Sequence, residues 1–180
     1  GGWPNAQRGK HALYTKPIYY IPLVPFVRAD DERFQSIEDI NKTGIKVSAV
    51  DGENAQTIRK IRFPATEEVS LPQTAGGTDM LMYVATNKAD ITFVDLYLGR
   101  DFIASNPDTL KPLFVEAPLQ LFQQNLTLAP EAFRFREMLN VATDELIFTG
   151  VIDDILTKYE KYPGSFYRLA DPYTIPQVKQ

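Results

Sequence analysis

The residues best placed to do chemistry follow predicted strands of this sequence. Gly52, Glu53 and Asn54 come directly after an alternating strand over 45–50 and precede a helix. The start of that helix offers unpaired N–H groups and the positive end of a dipole. Asp95 ends a later strand, and an acid there suits a cation. One zwitterionic ligand would satisfy both places. The alternative is that these side chains only cap the helices that follow them.

Composition excludes several kinds of catalytic centre. The chain has no cysteine, so disulfides, thiolate nucleophiles and Cys-ligated zinc are excluded. It has one histidine, His11, so a zinc site built from two or three imidazoles is excluded as well. A Ser-His-Asp triad would have to use His11, and no nucleophile elbow lies near it. We therefore predict no metal and no cofactor.

Length and charge place the chain among ordinary globular proteins. Its 180 residues are 44% hydrophobic and 23% charged, which fits one domain or two small ones. The net charge of −4 argues against a nucleic-acid partner, because phosphate binding uses clustered Lys and Arg. No apolar run approaches the ~20 residues of a transmembrane helix. Neither an initiator Met nor a signal peptide is visible, which predicts a processed or trimmed product.

Predicted strands and helices alternate through the middle of the chain. Residues 30–111 read β-α-β-α-β-α, a pattern typical of a mostly parallel sheet with helices on its faces. Ligands in such folds bind beyond the carboxyl ends of the strands. Before this region, Pro22 and Pro25 predict an extended segment with only a short strand near 23–27. After it we expect further extended segments at 113–115 and 121–128. Two helices follow, at about 130–148 and 151–159.

Four passages, in order, resemble a known family. They are Arg8–Tyr19, with its Arg, aromatic, Thr, Pro, Tyr sequence; Ser36–Gly52, with a strand that runs into a glycine turn; Asp79–Asp95, a helix followed by a strand that ends in Asp; and the closing helix pair. Together they resemble the bacterial type II periplasmic solute-binding proteins, specifically the amino-acid-binding group known as family 3. The resemblance extends from Gln7 to Tyr173.

The resemblance implies an α/β fold of two lobes with a ligand cleft between them. Each lobe has a mostly parallel sheet flanked by helices. Lobe I comprises residues 1–29 and 112–180, and lobe II comprises residues 30–111. Family members carry a further segment before the Arg signature, so the first lobe is expected to be incomplete and the chain to be a fragment.

The resemblance also assigns roles to site residues. Arg8 holds the α-carboxylate of the ligand in a bidentate pair. The backbone after Gly52, at Glu53 and Asn54, binds the same carboxylate, and Asp95 holds the α-ammonium group.

Two departures from the family pattern widen the range of expected ligands. Glu53 stands where Thr or Ser is usual, and its carboxylate would repel an anionic group. Trp3 and Asn5 stand where small hydroxyl residues normally contact the ligand, and Trp3 either stacks on a ligand, forms a cleft wall or packs in the core. Besides an α-amino acid, a phosphonate-like anion, an opine, a cationic metabolite or a peptide fragment fits this pattern.

Four functions are compatible with the sequence. The expected one is extracytoplasmic capture of a small polar ligand for the membrane permease of an ABC-type uptake transporter. The same module could serve as the ligand-sensing domain of a bacterial receptor. A third function is a dehydratase-like enzyme using Glu53, Asp95 and Glu116, although no paired constellation demands catalysis. The fourth is an assembly module without a small ligand, whose aromatic patch would be Tyr159, Tyr162, Phe166 and Tyr167.

Overall fold

A computed structural model describes residues 4–170, and these form two compact units. Unit 2 comprises Pro22–Gln120, and unit 1 comprises the described residues before Pro22 and after Gln120. The chain therefore leaves unit 1 once and returns to it once. The sequence predicted the two lobe limits at residues 29/30 and 111/112, which lie inside the range of unit 2 at both ends.

The described chain contains eight strands, five α-helices and two short 3₁₀ turns. The strands are β1 (Leu13–Tyr14), β2 (Tyr19–Arg28), β3 (Lys46–Val50), β4 (Glu67–Leu71), β5 (Ile91–Asp95), β6 (Leu110–Pro112), β7 (Gln120–Gln124) and β8 (Thr127–Leu128). The helices are α1 (Asn54–Arg62), α2 (Gly77–Ala85), α3 (Leu96–Ser105), α4 (Phe133–Phe148) and α5 (Val151–Tyr159). The 3₁₀ turns are Arg8–Lys10 and Ile37–Ile40.

The sheet of unit 2 is mixed. Its strand order is β4-β3-β5-β2-β6, and β7 pairs with β2 outside this path. The three strands β4, β3 and β5 are parallel, whereas β2 and β6 are antiparallel additions. The prediction of an α/β fold is confirmed, and the parallel part of the sheet is the part formed by the alternating β-α segment.

Strand β2 is longer than its two prolines predicted. Pro25 lies in register with Phe93 of β5, so the expectation that prolines would interrupt the strand is wrong. The carbonyl of Pro25 accepts a hydrogen bond from Leu113 N (2.9 Å), which places the peptide groups of Pro25 on the side of β6. Strand β6 has ended at Pro112, so the N–H that proline lacks is not needed by a ladder there.

Helices α1, α2 and α3 pack on this sheet through apolar faces. Phe26, Phe93, Leu81 and Leu96 are almost fully buried between them. Helix α3 approaches β2 closely because residue 99 is glycine: a Cβ there would overlap the ring of Phe26. These buried apolar side chains form the core of unit 2.

Unit 1 is built differently. Its own described sheet is a two-stranded antiparallel pair, β1 with β8. Helix α4 ends before Gly150, which has φ +80° and is the N-cap residue of α5. Phe166 packs edge-on against Tyr19, at 5.3 Å between ring centroids, and Tyr167 exchanges two 2.8 Å backbone hydrogen bonds with Tyr20. Two of the four residues of the predicted aromatic patch therefore contact the start of β2.

Most other element predictions are confirmed, but one is displaced. The strand expected at 113–115 lies three residues earlier, as β6. Residues 113–115 instead lead into a turn, where Phe114 has φ +53°. Apolar residues flank Pro112 on both sides, so their pattern alone does not locate the pairing. The register is fixed by the partner strand, with Phe26 opposite Pro112.

Candidate functional site

Three helices of unit 2 begin at the same edge of the sheet. In the parallel pairing of β3 with β5, Val47 lies opposite Ile91 and Ser48 opposite Thr92. This register brings the turn after β3 beside Asp95 at the end of β5. Strand β4 runs in the same direction, so the segment that leads into α2 leaves from this edge as well. We call this region the carboxyl edge.

The turn after β3 is held by a small hydrogen-bonded network. Gly52 has φ +80°, a conformation that favours glycine, and its N–H donates to Gln56 Oε1 at 3.1 Å. The amide of Gln56 donates to Asp51 Oδ1 (3.2 Å), which also accepts from Ser70 Oγ (2.6 Å). Asp51 and Gln56 therefore fix the turn. The sequence did not single out Gln56, whose role depends on a side chain folding back across its own helix.

The start of α1 presents hydrogen-bond donors. Glu53 is the extended N-cap residue, but its side chain makes no capping hydrogen bond. The first hydrogen bond of the helix runs from the N–H of Thr57 to the carbonyl of Glu53, at 3.2 Å. The N–H groups just before Thr57 therefore have no acceptor within the helix. In addition, Asn54 Nδ2 is buried and has no hydrogen-bond partner within the described residues. A buried amide donor without a partner is costly, and an anionic ligand group would satisfy it.

Asp95 is a helix cap and also a desolvated acid. Its Oδ1 accepts from Leu98 N at 2.8 Å, so the capping alternative from the sequence is confirmed as one of its roles. Burial raises the pKa of the Asp95 carboxyl, and hydrogen bonds from the backbone N–H groups of Leu98 and of Asp95 itself oppose this shift. No cationic side chain within residues 4–170 contributes to the shift. Asp95 is therefore a largely desolvated acid without a cationic partner in the described part of the chain.

The start of α2 is a third component of the carboxyl edge that the sequence did not assign to a site. Gly76 N donates to Asp79 Oδ2 at 2.8 Å, which caps this helix. A Cβ on Gly77 would overlap Leu98 at the start of α3, so glycine lets the two helix N-termini approach each other. The available signal was the Gly-Gly pair between a strand and a helix, which repeats the pattern seen at Gly52.

The remaining predicted site residues belong to unit 1. Arg8 begins the first 3₁₀ turn, and its backbone N–H donates to Asn5 Oδ1 at 2.8 Å. The Asn5 side chain therefore supports the backbone where this turn begins. Trp3 lies outside the described residues. His11 follows the turn and is exposed, and its own N–H donates to the carbonyl of Arg8 (3.0 Å).

A separate cavity of about 640 Å³ lies within unit 1, between α4, α5 and residues 168–170. Its walls are mainly apolar, and its one cation is already paired. Arg168 Nε donates to Asp153 at 2.9 Å, and Arg168 Nη1 donates to Glu160 at 2.8 Å. Because these walls are mainly apolar and Arg168 is already paired, we place the candidate site at the carboxyl edge instead.

Two further features are absent from the described residues. No cluster of three or more His, Cys, Asp or Glu side chains that could hold a metal ion is present in residues 4–170. None of the helices there is long and apolar enough to cross a membrane.

Comparisons with known proteins identify the fold. No protein-family profile and no curated protein sequence matches the chain. Solved structures do match, and the fold is that of the two-lobed periplasmic binding proteins for amino acids, so the predicted resemblance is confirmed.

Three solved structures illustrate this likeness. A putative ABC transporter binding component from Wolinella succinogenes, complexed with lysine, has a TM-score of 0.75 and 16% identity, covering 91% of this chain and 69% of its own. A mutant of ArgBP from T. maritima has a TM-score of 0.69 and 22% identity, covering 90% and 67%. The ancestral amino acid-binding protein AncCDT-1, described as a precursor of cyclohexadienyl dehydratase, has a TM-score of 0.71 and 16% identity, covering 89% and 66%. The chain thus spans about two thirds of the length of these structures.

Proposed function

We propose that the chain captures a small polar, amino-acid-like ligand at the carboxyl edge of unit 2. The observation that carries this proposal is that an acid without a cationic partner lies beside hydrogen-bond donors without acceptors at this edge. Asp95 is desolvated and has no cationic partner in the described chain, and the start of α1 beside it presents donors without partners. An ammonium group suits the first and a carboxylate or similar anion suits the second.

The resemblance implies three further ligand contacts. Arg8 would hold the anionic group of the ligand, and Asn5 and Trp3 would contact the ligand as well. Glu53 limits which anions are accepted, because its carboxylate stands at the start of α1 where it repels a second negative charge. We therefore expect ligands with a positive or neutral tail to bind better than dicarboxylates.

The role we propose is transport rather than catalysis. The matched structures include an ABC transporter binding component complexed with lysine and an amino acid ABC transporter substrate-binding protein bound to L-arginine. By analogy, this chain would act outside the cytoplasm and deliver its ligand, chemically unchanged, to a membrane permease. A receptor-sensing role would use the same capture step and differs only in the partner that responds to the ligand-bound protein.

The first experiment is a thermal-shift screen of the purified 180-residue chain against the twenty amino acids, small amines and small organic acids. We expect an amino acid or amine to raise Tm, and Asp95→Asn to abolish that rise. The matched control is Asp39→Asn, which alters a capping acid that accepts from Ser36 N at 2.8 Å in the segment before β3. A hit that persists in Asp95→Asn would overturn the assignment of the site, and the lack of any hit would overturn small-ligand capture.

A second measurement addresses the enzyme alternative. Incubating each hit with the chain and recording its proton NMR spectrum shows whether the ligand is altered. We expect recovery of the unchanged compound. Turnover that depends on Asp95 and Glu53 would favour the dehydratase-like reading instead.

A further inference from the structure

The side chain of Gln56 uses both ends of its amide group. Its oxygen accepts the N–H of Gly52 at 3.1 Å. Its nitrogen donates to two carboxylates, to Asp51 Oδ1 at 3.2 Å and to Glu68 Oε1 at 2.6 Å. An amide carries an acceptor oxygen and two donor hydrogens, so this one side chain satisfies all three neighbours. An ionised glutamate of the same length has acceptors only and would leave both carboxylates without this donor.

Each of the two carboxylates has one further partner. Asp51 Oδ1 also accepts from Ser70 Oγ at 2.6 Å, and Glu68 Oε2 lies 3.7 Å from Nη1 of Arg59. Ser70 and Glu68 belong to β4, whereas Arg59 belongs to α1. Gln56 is therefore the residue at which α1, β4 and the turn after β3 are joined.

These contacts determine which N–H groups of the turn remain for a ligand. The N–H of Gly52 is bonded to Gln56, and the N–H of Glu53 donates to the last carbonyl of β3 at 3.1 Å. The following N–H groups, of residues 54–56, have no acceptor within residues 4–170. The donors available to an anion are therefore these three N–H groups together with Asn54 Nδ2.

Gln56 also holds a negative charge away from these donors. Asp51 precedes Asn54 by three positions, the spacing at which Asp95 caps α3. An Asp side chain at that spacing competes for backbone N–H groups at the start of a helix. Gln56 and Ser70 both donate to Asp51 Oδ1, so the carboxylate is satisfied by groups outside the set that a ligand would use.

We propose that Gln56 is a positioning residue for the anionic group of the ligand. It binds the N–H of Gly52 and restrains the carboxylate of Asp51, which leaves the N–H groups of residues 54–56 to the ligand. Its side chain acts through these neighbours and does not itself contact the ligand. This inference rests on the proposed function, because it assigns the donors of that same site.

A swap of charge between α1 and β4 tests this role. Gln56→Glu keeps the length and the acceptor of the side chain but adds a carboxylate beside Asp51 and Glu68. We expect its affinity for the best amino acid or amine of the thermal-shift screen to fall about tenfold in calorimetric titration, because the crowded carboxylates compete with the ligand. Adding Glu68→Gln returns an amide donor to the cluster and is expected to restore affinity to within about threefold.

Gln35→Glu is the matched control. It makes the same change of charge in the segment before β3, where the Gln35 amide donates to the carbonyl of Glu32 at 2.9 Å. We expect this variant to bind the ligand with unchanged affinity. Circular dichroism checks that all variants are folded, so that a loss of affinity is not a loss of structure.

A second titration measures the donors without an identified amino-acid ligand. The probe is acetate, the simplest stable carboxylate with an apolar tail, followed by ¹⁵N-resolved NMR. We expect saturable shifts on the amides of residues 54–56 in the unmodified chain. Gln56→Glu should need about tenfold more acetate for the same shifts, and adding Glu68→Gln should reverse this change.

The outcomes separate the role of Gln56 from ligand capture itself. If an amino acid binds the unmodified chain and Gln56→Glu equally well, capture stands and the role of Gln56 is wrong. If no amino acid binds but acetate shifts residues 54–56 as described, the role of Gln56 stands and capture of an amino-acid-like ligand is wrong. Absence of saturable acetate shifts on residues 54–56, or no recovery on adding Glu68→Gln, would also overturn the role of Gln56.

Discussion

Replacing Asp95 by Asn separates the two roles that this residue has in the structure. The side-chain oxygen of Asn still accepts from Leu98 N, as Oδ1 of Asp95 does at 2.8 Å, and Asn is as good an N-cap as Asp. At the same time the substitution removes a charge that burial disfavours. We therefore expect Asp95→Asn to keep or increase the free energy of unfolding at neutral pH.

The loss of affinity follows from the same geometry. A hydrogen bond between charged groups contributes about 1.5–3 kcal/mol, so removing the charge of Asp95 should weaken binding of an ammonium-bearing ligand by about 10- to 150-fold. Asp95→Ala loses the cap as well, which costs about 1 kcal/mol of stability. The two variants should thus bind equally poorly but differ in stability.

Urea unfolding followed by circular dichroism measures the stability, and calorimetric titration with a ligand from the thermal-shift screen measures the affinity. If Asp95→Asn is less stable than the unmodified chain by as much as Asp95→Ala, the burial argument is wrong. If Asp95→Asn binds the ligand with unchanged affinity, Asp95 does not contact its cationic group.

The raised pKa of Asp95 also predicts a sign for the pH dependence. The folded state holds this proton more tightly than the unfolded state, so the contribution to stability is fully present below the usual carboxyl range and is lost as pH rises through the folded pKa. Asp95→Asn should therefore make the free energy of unfolding depend less on pH over the range in which the Asp95 carboxyl loses its proton. An unchanged profile in urea unfolding across pH would contradict the burial of this carboxyl.

Three further predictions concern the scaffold. Gly99→Ala should destabilise the chain by about 1–3 kcal/mol in urea unfolding, because the new Cβ overlaps the ring of Phe26, whereas Gly9→Ala should be neutral since its Cβ meets no atom within 4 Å. The hydrogen bond from Arg33 lowers the pKa of Asp31, so this acid contributes stability that is lost as pH falls; Asp31→Asn should reduce the loss measured between neutral pH and about pH 3. Arg168→Ala should speed amide hydrogen exchange over residues 162–170, because Arg168 ties this segment to Asp153 of α5 and to Glu160 just after it; unchanged exchange would contradict that role.

Several elements could be predicted to the residue because local signals bracket them. Helix α3 starts after the capping acid Asp95 and ends before Asn106-Pro107, and α5 starts after Gly150. The parallel strands were also predictable, since each lies between a turn and a helix in a repeating pattern. These signals act within a few residues along the chain, which is why a single sequence contains them.

What the sequence did not predict depends on partners that are distant along the chain. The ten-residue β2 tolerates Pro25 only because β6 has ended opposite it, and the position of β6 depends on pairing with β2. At the candidate site, Asn54 and Asp95 were identified from their positions after strands. The buried, unpartnered amide of Asn54 and the role of Gln56 needed the three-dimensional arrangement.

The most direct test of ligand capture is an ¹⁵N-resolved NMR titration of the labelled chain with the best ligand from the thermal-shift screen. We predict that the largest amide shifts fall on residues 52–56 and 95–98, where α1 and α3 begin beside each other. Saturable shifts confined to unit 1, or no saturable shift with any compound of the screen, would contradict capture at the carboxyl edge.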